Sequence, residues 1–445
     1  MSILSQVVIA EDQNGEDDQT ISMRYLGVDS LISDASFPRV MTEPFQFSPP
    51  GRLIDFMRQA GEPGLINLAA GVPGLESLPA DALQAALGRA FAEEGPTIFA
   101  YHHPEGDPML RELLADRLRA RGASIADSQL FTVTGCQQGL QLLLNVLVQP
   151  GDIVACEVPA YYALLELISI SGARILPVPV RGPDGFDLDE VDALLSRWRP
   201  KCLFVCTTLS NPSGSTIPPE NRERLVEICR KNGVRVIEDD IYAELVDGGA
   251  PKPLLAYDDG STVSYVSSFS KSVSPGLRAG VCVPGTIYEE VAVRKVQQDM
   301  HSSVVSEVAL RCFLEDGSLD PHLARLRERN SRRRAVAIET IARSFPAGSH
   351  VWPQPGGYMV WVELPGLFDL EQARVLAHRE NVVFAAGTVF FPTPPDRSYL
   401  RLNGAKASES ELIQGLEVLG RVLGEVPARI SAQAEQDGSR GLLRC

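Results

Sequence analysis

The chain has 445 residues, 44% of them hydrophobic, and carries 41 basic against 57 acidic side chains, a formal charge of −16. That length exceeds what one core usually serves, so a large domain with a smaller companion is expected. The acidic balance disfavours nucleic acid or an anionic membrane surface as a partner.

The eight cysteines (136, 156, 202, 206, 229, 282, 312 and 445) are scattered, mostly in apolar runs, and none shows CxxC spacing. Reduced thiols are therefore expected, and no metal site. Met1–Thr20 is polar and acidic, unlike a secretory signal, and no run of 18 apolar residues occurs, so a cytoplasmic location is expected.

Residues 1–45 lack periodicity and read as a partly disordered arm with one short helix near Met23–Ile32. A helix-like stretch from Gly51 leads to Leu65–Ala70, then to a Gly and Pro cluster, Gly71–Pro79, and a helix over Ala80–Glu93. Residues 46–100 are assigned to a small domain and a pocket loop. Residues 101–325 form the large domain, where seven apolar, β-branched runs alternate with helical stretches: Leu130–Thr134, Ile153–Glu157, Ala173–Val180, Cys202–Thr207, Arg235–Glu238, Val263–Ser267 and Gly280–Val283. This alternation predicts an α/β fold with an open, mostly parallel seven-stranded sheet, whose ligands sit beyond the carboxyl ends of the strands.

Leu310–Phe345 is predicted as an Arg-rich helical connector, interrupted between Gly317 and Pro321, with Arg327–Arg334 as a solvated or interface face. A smaller α/β domain, 326–425, follows: strand Tyr358–Glu363, helix Leu370–Arg379, strands Val382–Phe384 and Tyr399–Leu402, and helix Glu409–Leu423. Residues 426–445 read as a loose tail.

Four segments carry chemistry. In SSFSKSVSPGLRAG (267–280) a strand ends in hydroxyls, a lysine and an arginine. Ser268, Ser270 and Arg278 suit a phosphate, and the Lys271 amine, near another cation or in a dry pocket, loses its proton readily and forms an imine with an aldehyde. In VRVIEDDIY (234–242) Asp239 ends a buried strand, where a carboxylate can keep a ring nitrogen protonated. In TVTGCQQGL (132–140) a strand, a glycine turn and a helix start direct free N–H groups of Gly135, Cys136 and Gln137 at an anion. SNPSG (210–214) places Asn211 after another strand. Taken singly, each motif also has a plainer reading: a surface lysine, capping acids, an ordinary strand–helix junction or a turn.

Taken in order with LAAGVPG, EVPAY, PGGYMVW and LRLN, the motifs resemble the class I/II aminotransferases, enzymes of fold-type I that depend on pyridoxal 5'-phosphate (PLP). The likeness is greatest to the branch with 2-aminoadipate and kynurenine aminotransferases and the aminotransferase half of MocR-type regulators, over about residues 50–425. The resemblance implies that Lys271 forms the internal aldimine and shuttles the proton, that Asp239 pairs with the pyridinium, and that Tyr161 stacks on the ring. It implies that Asn211 and Tyr242 bond the phenolic oxygen, and that Cys136, Gln137, Ser268, Ser270 and Arg278 hold the phosphate with Tyr101 from the partner of a homodimer. Arg401 would clamp the substrate carboxylate, with Gly71 and Asn211 beside it.

Cys136 departs from the family's usual Ser or Thr, and His102 and His103 are unusual there. The acidic arm is too short for a winged-helix DNA-binding domain. The implied reaction is ping-pong amino transfer between an amino acid and a 2-oxo acid. Two alternatives stand beside it: the same cofactor chemistry turned to elimination, replacement, oxidation or C–C bond formation, and a non-catalytic PLP or amino-acid sensor.

Overall fold

The computed structural model describes residues 42–49, 58 and 62–429, all within one unit, Phe37–Cys445. The arm up to Met41, with the helix expected near Met23–Ile32, lies outside the described residues, as do nearly all of the stretch from Gly51 and the tail beyond Arg429.

All seven expected strands of the large sheet form: β3 (Phe131–Val133), β4 (Ile153–Val158), β5 (Arg174–Pro179), β6 (Cys202–Val205), β7 (Arg235–Asp239), β8 (Val263–Ser268) and β9 (Gly280–Val283). A two-residue strand, β1 (Phe45–Gln46), makes an eighth, in the order β1-β5-β4-β6-β7-β8-β9-β3. The five central strands, β5 to β8 in that order, run parallel; β9 is antiparallel to β8 and to β3, and β1 is antiparallel to β5. Central strands such as Cys202–Val205 are buried at every residue, as helices on both faces of a parallel sheet require. Their continuous apolar runs made them legible as strands.

The helices between these strands are α1 (Ala80–Glu94), α2 (Pro108–Ala120), α3 (Cys136–Leu147), α4 (Tyr162–Ile170), α5 (Leu188–Trp198) and α6 (Pro219–Asn232). Capping fixes their ends: Asp187 accepts from the N–H groups of Asp189 and Glu190 at the start of α5, and Gly233 closes α6 at φ 66°. Three further helices follow β9: α7 (Tyr288–Asp299), α8 (Val304–Glu315) and α9 (Leu319–Ser344). The predicted interruption falls between the last two. The expected domain boundary at 325/326 lies inside α9, which runs unbroken for 26 residues.

A second apolar cluster gathers on a smaller antiparallel sheet of β10 (His350–Val351), β11 (Met359–Glu363), β15 (Tyr399–Asn403) and β14 (Ala385–Ala386). A short strand, β12 (Leu367–Phe368), leads into helix α10 (Leu370–Arg379), which packs on the sheet with α9 and α11 (Glu409–Glu425). The cluster also recruits Leu68, because β2 (Ile66–Asn67) pairs in parallel with β13 (Val382–Val383). The chain just before the Gly71 loop is thereby pinned by a segment more than 300 residues later.

The Arg327–Arg334 run is in part solvated, with Arg332 exposed, and in part engaged in contacts within the chain. Arg329 pairs with Glu76, Arg332 with Glu409, and Arg334 with Asp247 and the Gly357 carbonyl. Arg327 donates to the Glu244 carbonyl and Arg333, buried, to that of Ala407. The run staples α9 to the loops around it. No helix among the described residues is long and apolar enough to cross a membrane, and the seven described cysteines are unpaired.

Candidate active site

Four of the five parallel strands, β4, β6, β7 and β8, deliver residues from their carboxyl ends to one cavity of about 350 Å³. The turn after β3 brings Cys136 and Gln137 to it; the loop after β4 brings Tyr161; that after β6, Asn211; β7 and its extension, Asp239 and Tyr242; and the loop after β8, Ser270, Lys271 and Arg278. From the smaller sheet comes Arg401, and from the loop after β2, Gly71. Eleven of the fourteen residues singled out from sequence therefore share one cavity.

Lys271 sits at the centre. Its Nζ donates to the Gly71 carbonyl at 2.7 Å. Burial and the Arg401 cation bring its pKa down to about 8, against the pull of Cys136 and Asp239 the other way. Burial likewise pushes Asp239 up to about 6, while the Cys136 thiol and the Ile241 N–H, at 3.2 Å, draw it back. The thiol expected to face a phosphate thus engages the neighbouring carboxylate, and what Cys136 offers an anion is its backbone N–H at the start of α3.

At one end of the cavity Arg278 holds the turn. Its Nη1 donates to Ser270 Oγ at 3.3 Å and its Nη2 to the Thr134 carbonyl at 2.8 Å. Gly135 between them has φ 78°, and a Cβ there would stand 2.7 Å from Arg278 Nη2, so both backbone and space require glycine. Ser268 stands one layer back: its hydroxyl donates to the Ala279 carbonyl at 2.9 Å and meets Ser270 Oγ at 2.8 Å, which fixes Ser270 without lining the cavity.

At the other end lies Arg401, 1% exposed, on β15 between Trp361 and Ala385 in register. Its guanidinium lies 4.8 Å from the Phe390 ring centroid and donates to Asn211 Oδ1 at 2.8 Å and the Ala69 carbonyl at 2.5 Å. These partners are neutral, its Nε is buried without one, and burial lowers its pKa. A buried cation so placed calls for an anion. Asn211 links it to Tyr242, whose hydroxyl receives Nδ2 at 3.4 Å.

The Gly71 loop is shaped by two asparagines. Asn67 Oδ1 accepts from Ala69 and Ala70 N–H at 3.0 and 2.9 Å, and Asn403 Nδ2 donates to the carbonyls of Ala70 and, at 2.8 Å, Val72. A Cβ on Gly71 would lie 3.3 Å from Arg401 Nη1, so its lack of side chain lets the loop close over the guanidinium.

Tyr101 is 85% exposed, in edge contact with the His301 ring and outside the cavity of its own chain. His102 and His103 pack edge to face, also outside it. The rest of the lining is Ala70 and Val72, flanking Gly71, and Tyr162, Cys206, Ile241 and Lys406, which sequence reasoning missed. Tyr162 follows Tyr161 directly and Ile241 precedes Tyr242; Cys206 and Lys406 carried no signal beyond proximity to SNPSG and LRLN.

The residues present fit a phosphorylated aldehyde such as PLP: an amine of lowered pKa, a helix N-terminus with Arg278 and Ser270 for a phosphate, and the half-buried acid Asp239 in the same cavity. Among the described residues, no cluster suited to a metal ion occurs.

Comparison with known proteins gives a match to the family "Aminotransferase class I and II" over residues 63–419. The 2-aminoadipate transaminase of Thermus thermophilus is 30% identical over 375 residues, covering 83% of this chain and 92% of that one. The crystal structure of an alpha-aminoadipate aminotransferase from the same organism, complexed with N-(5'-phosphopyridoxyl)-L-leucine, superposes with a TM-score of 0.76 at 30% identity, covering 83% and 94%. The kynurenine aminotransferase of Pyrococcus horikoshii gives 0.79 at 25% identity, covering 85% and 95%.

Proposed function

The chain belongs to the class I and II aminotransferases, and on that premise we propose that it is a PLP-dependent enzyme moving an amino group between an amino acid and a 2-oxo acid. One observation carries the reading: a half-buried lysine amine of lowered pKa lies in the same cavity as a buried arginine whose partners are all neutral.

Bound PLP supplies an aldehyde that condenses with amines and a ring that, protonated, accepts electron density from Cα of the substrate. Lys271 Nζ would hold the cofactor's aldehyde and, when free, would be the general base placed to take a proton from the substrate Cα. The Gly71 carbonyl, 2.7 Å from Nζ in this structure, is an acceptor for that amine. Asp239 would hold a proton on the ring nitrogen, and a cation bound there would offset the burial that raises its own pKa. Arg278, Ser270 and the N–H groups opening α3 take the phosphate; Asn211 and Tyr242 take the ring hydroxyl.

Arg401 takes the substrate carboxylate through a planar fork, which sets which Cα bond faces Lys271. Tyr161, Tyr162 and Tyr242 wall the cavity and limit water. Half-reactions in both directions through one site make the kinetics ping-pong. The reading includes a homodimer in which Tyr101 and Phe99, 85% and 74% exposed, are covered by a second copy and Tyr101 reaches its phosphate end.

The test is an absorbance spectrum of the PLP-loaded protein before and after a panel of amino acids without oxo acid, with Lys271→Ala alongside. The expected result is loss of the lysine-bound band, a rise of the amine form and release of a 2-oxo acid, all absent in the variant. A band that persists while ammonia or another leaving group appears would replace amino transfer by elimination. Absence of any band would remove the cofactor itself.

A further inference from the structure

Behind the anion cup lies a buried polar chain that the reaction above does not use. Gln138, on the first turn of α3 and 8% exposed, accepts from the Thr134 N–H at 2.7 Å through Oε1 and donates to Asp299 Oδ2 at 2.6 Å through Nε2. Asp299, at the end of α7, is gripped by Lys295 Nζ at 3.1 and 3.3 Å, and Lys295 is completely buried. The same ammonium donates to Ser302 Oγ at 3.2 Å, and that hydroxyl donates to the Thr132 carbonyl at 3.3 Å.

The chain is therefore anchored to β3 on both sides of Val133. Thr134 is held on both its backbone groups, its N–H by Gln138 and its carbonyl by Arg278. Those two peptide planes determine where Gly135 turns and where the free N–H groups of Cys136 and Gln137 aim. A buried ion pair is weak evidence for stability, and its better-attested use is to fix one arrangement among several.

We propose that Gln138, backed by Asp299 and Lys295, is a positioning residue for the cofactor's phosphate: it fixes the Thr134–Gln137 turn so that its N–H groups converge on that anion. The inference rests on the PLP reading above. It assigns Gln138 no contact with the cofactor and concerns only the phosphate end, so its effect should depend on whether the ligand carries a phosphate.

The experiment measures dissociation constants of PLP and of pyridoxal, which lacks the phosphate, for cofactor-free protein by absorbance titration. Wild type is compared with Gln138→Met, which removes both hydrogen bonds at similar volume, and with the double variant Gln138→Glu/Asp299→Asn. The double variant keeps the net charge and reverses the central bond, the amide introduced at position 299 donating to the carboxylate introduced at position 138. Both ligands condense with Lys271, so their ratio isolates the phosphate. The expected result is a loss of roughly 10-fold or more in PLP affinity for Gln138→Met, pyridoxal unchanged within about twofold, and recovery of PLP affinity in the double variant. Equal losses for both ligands, no loss for either, or no recovery in a double variant whose melting temperature matches wild type would each overturn the proposal. Failure of wild type to bind PLP at all would instead overturn the cofactor reading, and this inference with it.

Discussion

The amine of Lys271 lies 2.7 Å from the carbonyl oxygen of Gly71, 200 residues away in sequence. One residue follows the central parallel strand β8 and the other follows β2, which pairs in the small sheet region. Their contact ties the amine of lowered pKa to the loop that closes over Arg401.

The first prediction follows from that amine. Only a neutral lysine attacks an aldehyde, and Lys271 in the cofactor-free protein is half neutral near pH 8. The rate at which cofactor-free protein captures PLP should rise about tenfold per pH unit below 8 and level off above it. Stopped-flow absorbance between about pH 6 and 10 reads this directly, and a rise continuing to the ordinary lysine range would show that burial does not act as described.

Arg401→Lys is expected to lower kcat/KM for every α-amino acid by about 10²-fold, because a single ammonium cannot reproduce the fork and the buried site offers it only neutral partners. The loss should be smaller for the corresponding amines without a carboxylate. Steady-state kinetics on matched pairs of substrates checks this, and equal losses on both members would place the role of Arg401 elsewhere.

Gly135→Ala combines a backbone at φ 78° with a Cβ 2.7 Å from Arg278 Nη2. The expected cost is about 1–3 kcal/mol in stability, with PLP affinity reduced as well because Arg278 must move. Thermal melts and cofactor titration report the two effects, and an alanine variant with unaltered melting temperature would contradict the geometry.

Glu157, 4% exposed on β4, accepts from the Cys206 N–H at 3.1 Å and Ser210 Oγ at 3.0 Å, and burial lifts its pKa to about 8. A carboxyl whose folded pKa is raised binds protons more readily folded than unfolded, so stability falls as pH climbs from the unfolded value near 4.5 to about 8 and is flat above. A glutamine amide keeps the acceptor and carries no charge. Glu157→Gln should therefore match wild type near pH 4.5 and gain progressively up to about pH 8, by on the order of 5 kcal/mol. Denaturant melts at several pH values test it, and a pH-independent difference would mean that Glu157 does not titrate in this range.

The alternation of apolar runs and helical stretches made the large sheet legible, because strands buried on both faces show as uninterrupted hydrophobic segments. Short pieces were not: β1 and β2 span two residues each and have no periodicity to detect. The Arg327–Arg334 run, expected as a solvated or interface face, was legible only in part, since Arg332 is exposed while Arg333 and Arg334 are buried. Charge in sequence does not reveal that Arg333 donates to the Ala407 carbonyl or that Arg329 meets Glu76.

Residue chemistry and order alone determined which groups end the parallel strands, since each of Asp239, Asn211 and Lys271 lies within six residues of a strand's last apolar position. Only the tertiary structure decided where their atoms go. It turned the Cys136 thiol to Asp239, set Ser268 behind Ser270, gave Arg401 neutral partners and buried Lys295 against the half-buried Asp299 behind the anion cup. The physical reason is range: a strand and the residue at its end follow from a few neighbours in sequence, whereas a hydrogen-bond partner 161 or 190 positions away, as for Gln138 and Arg401, exists only once the sheets and helices have packed.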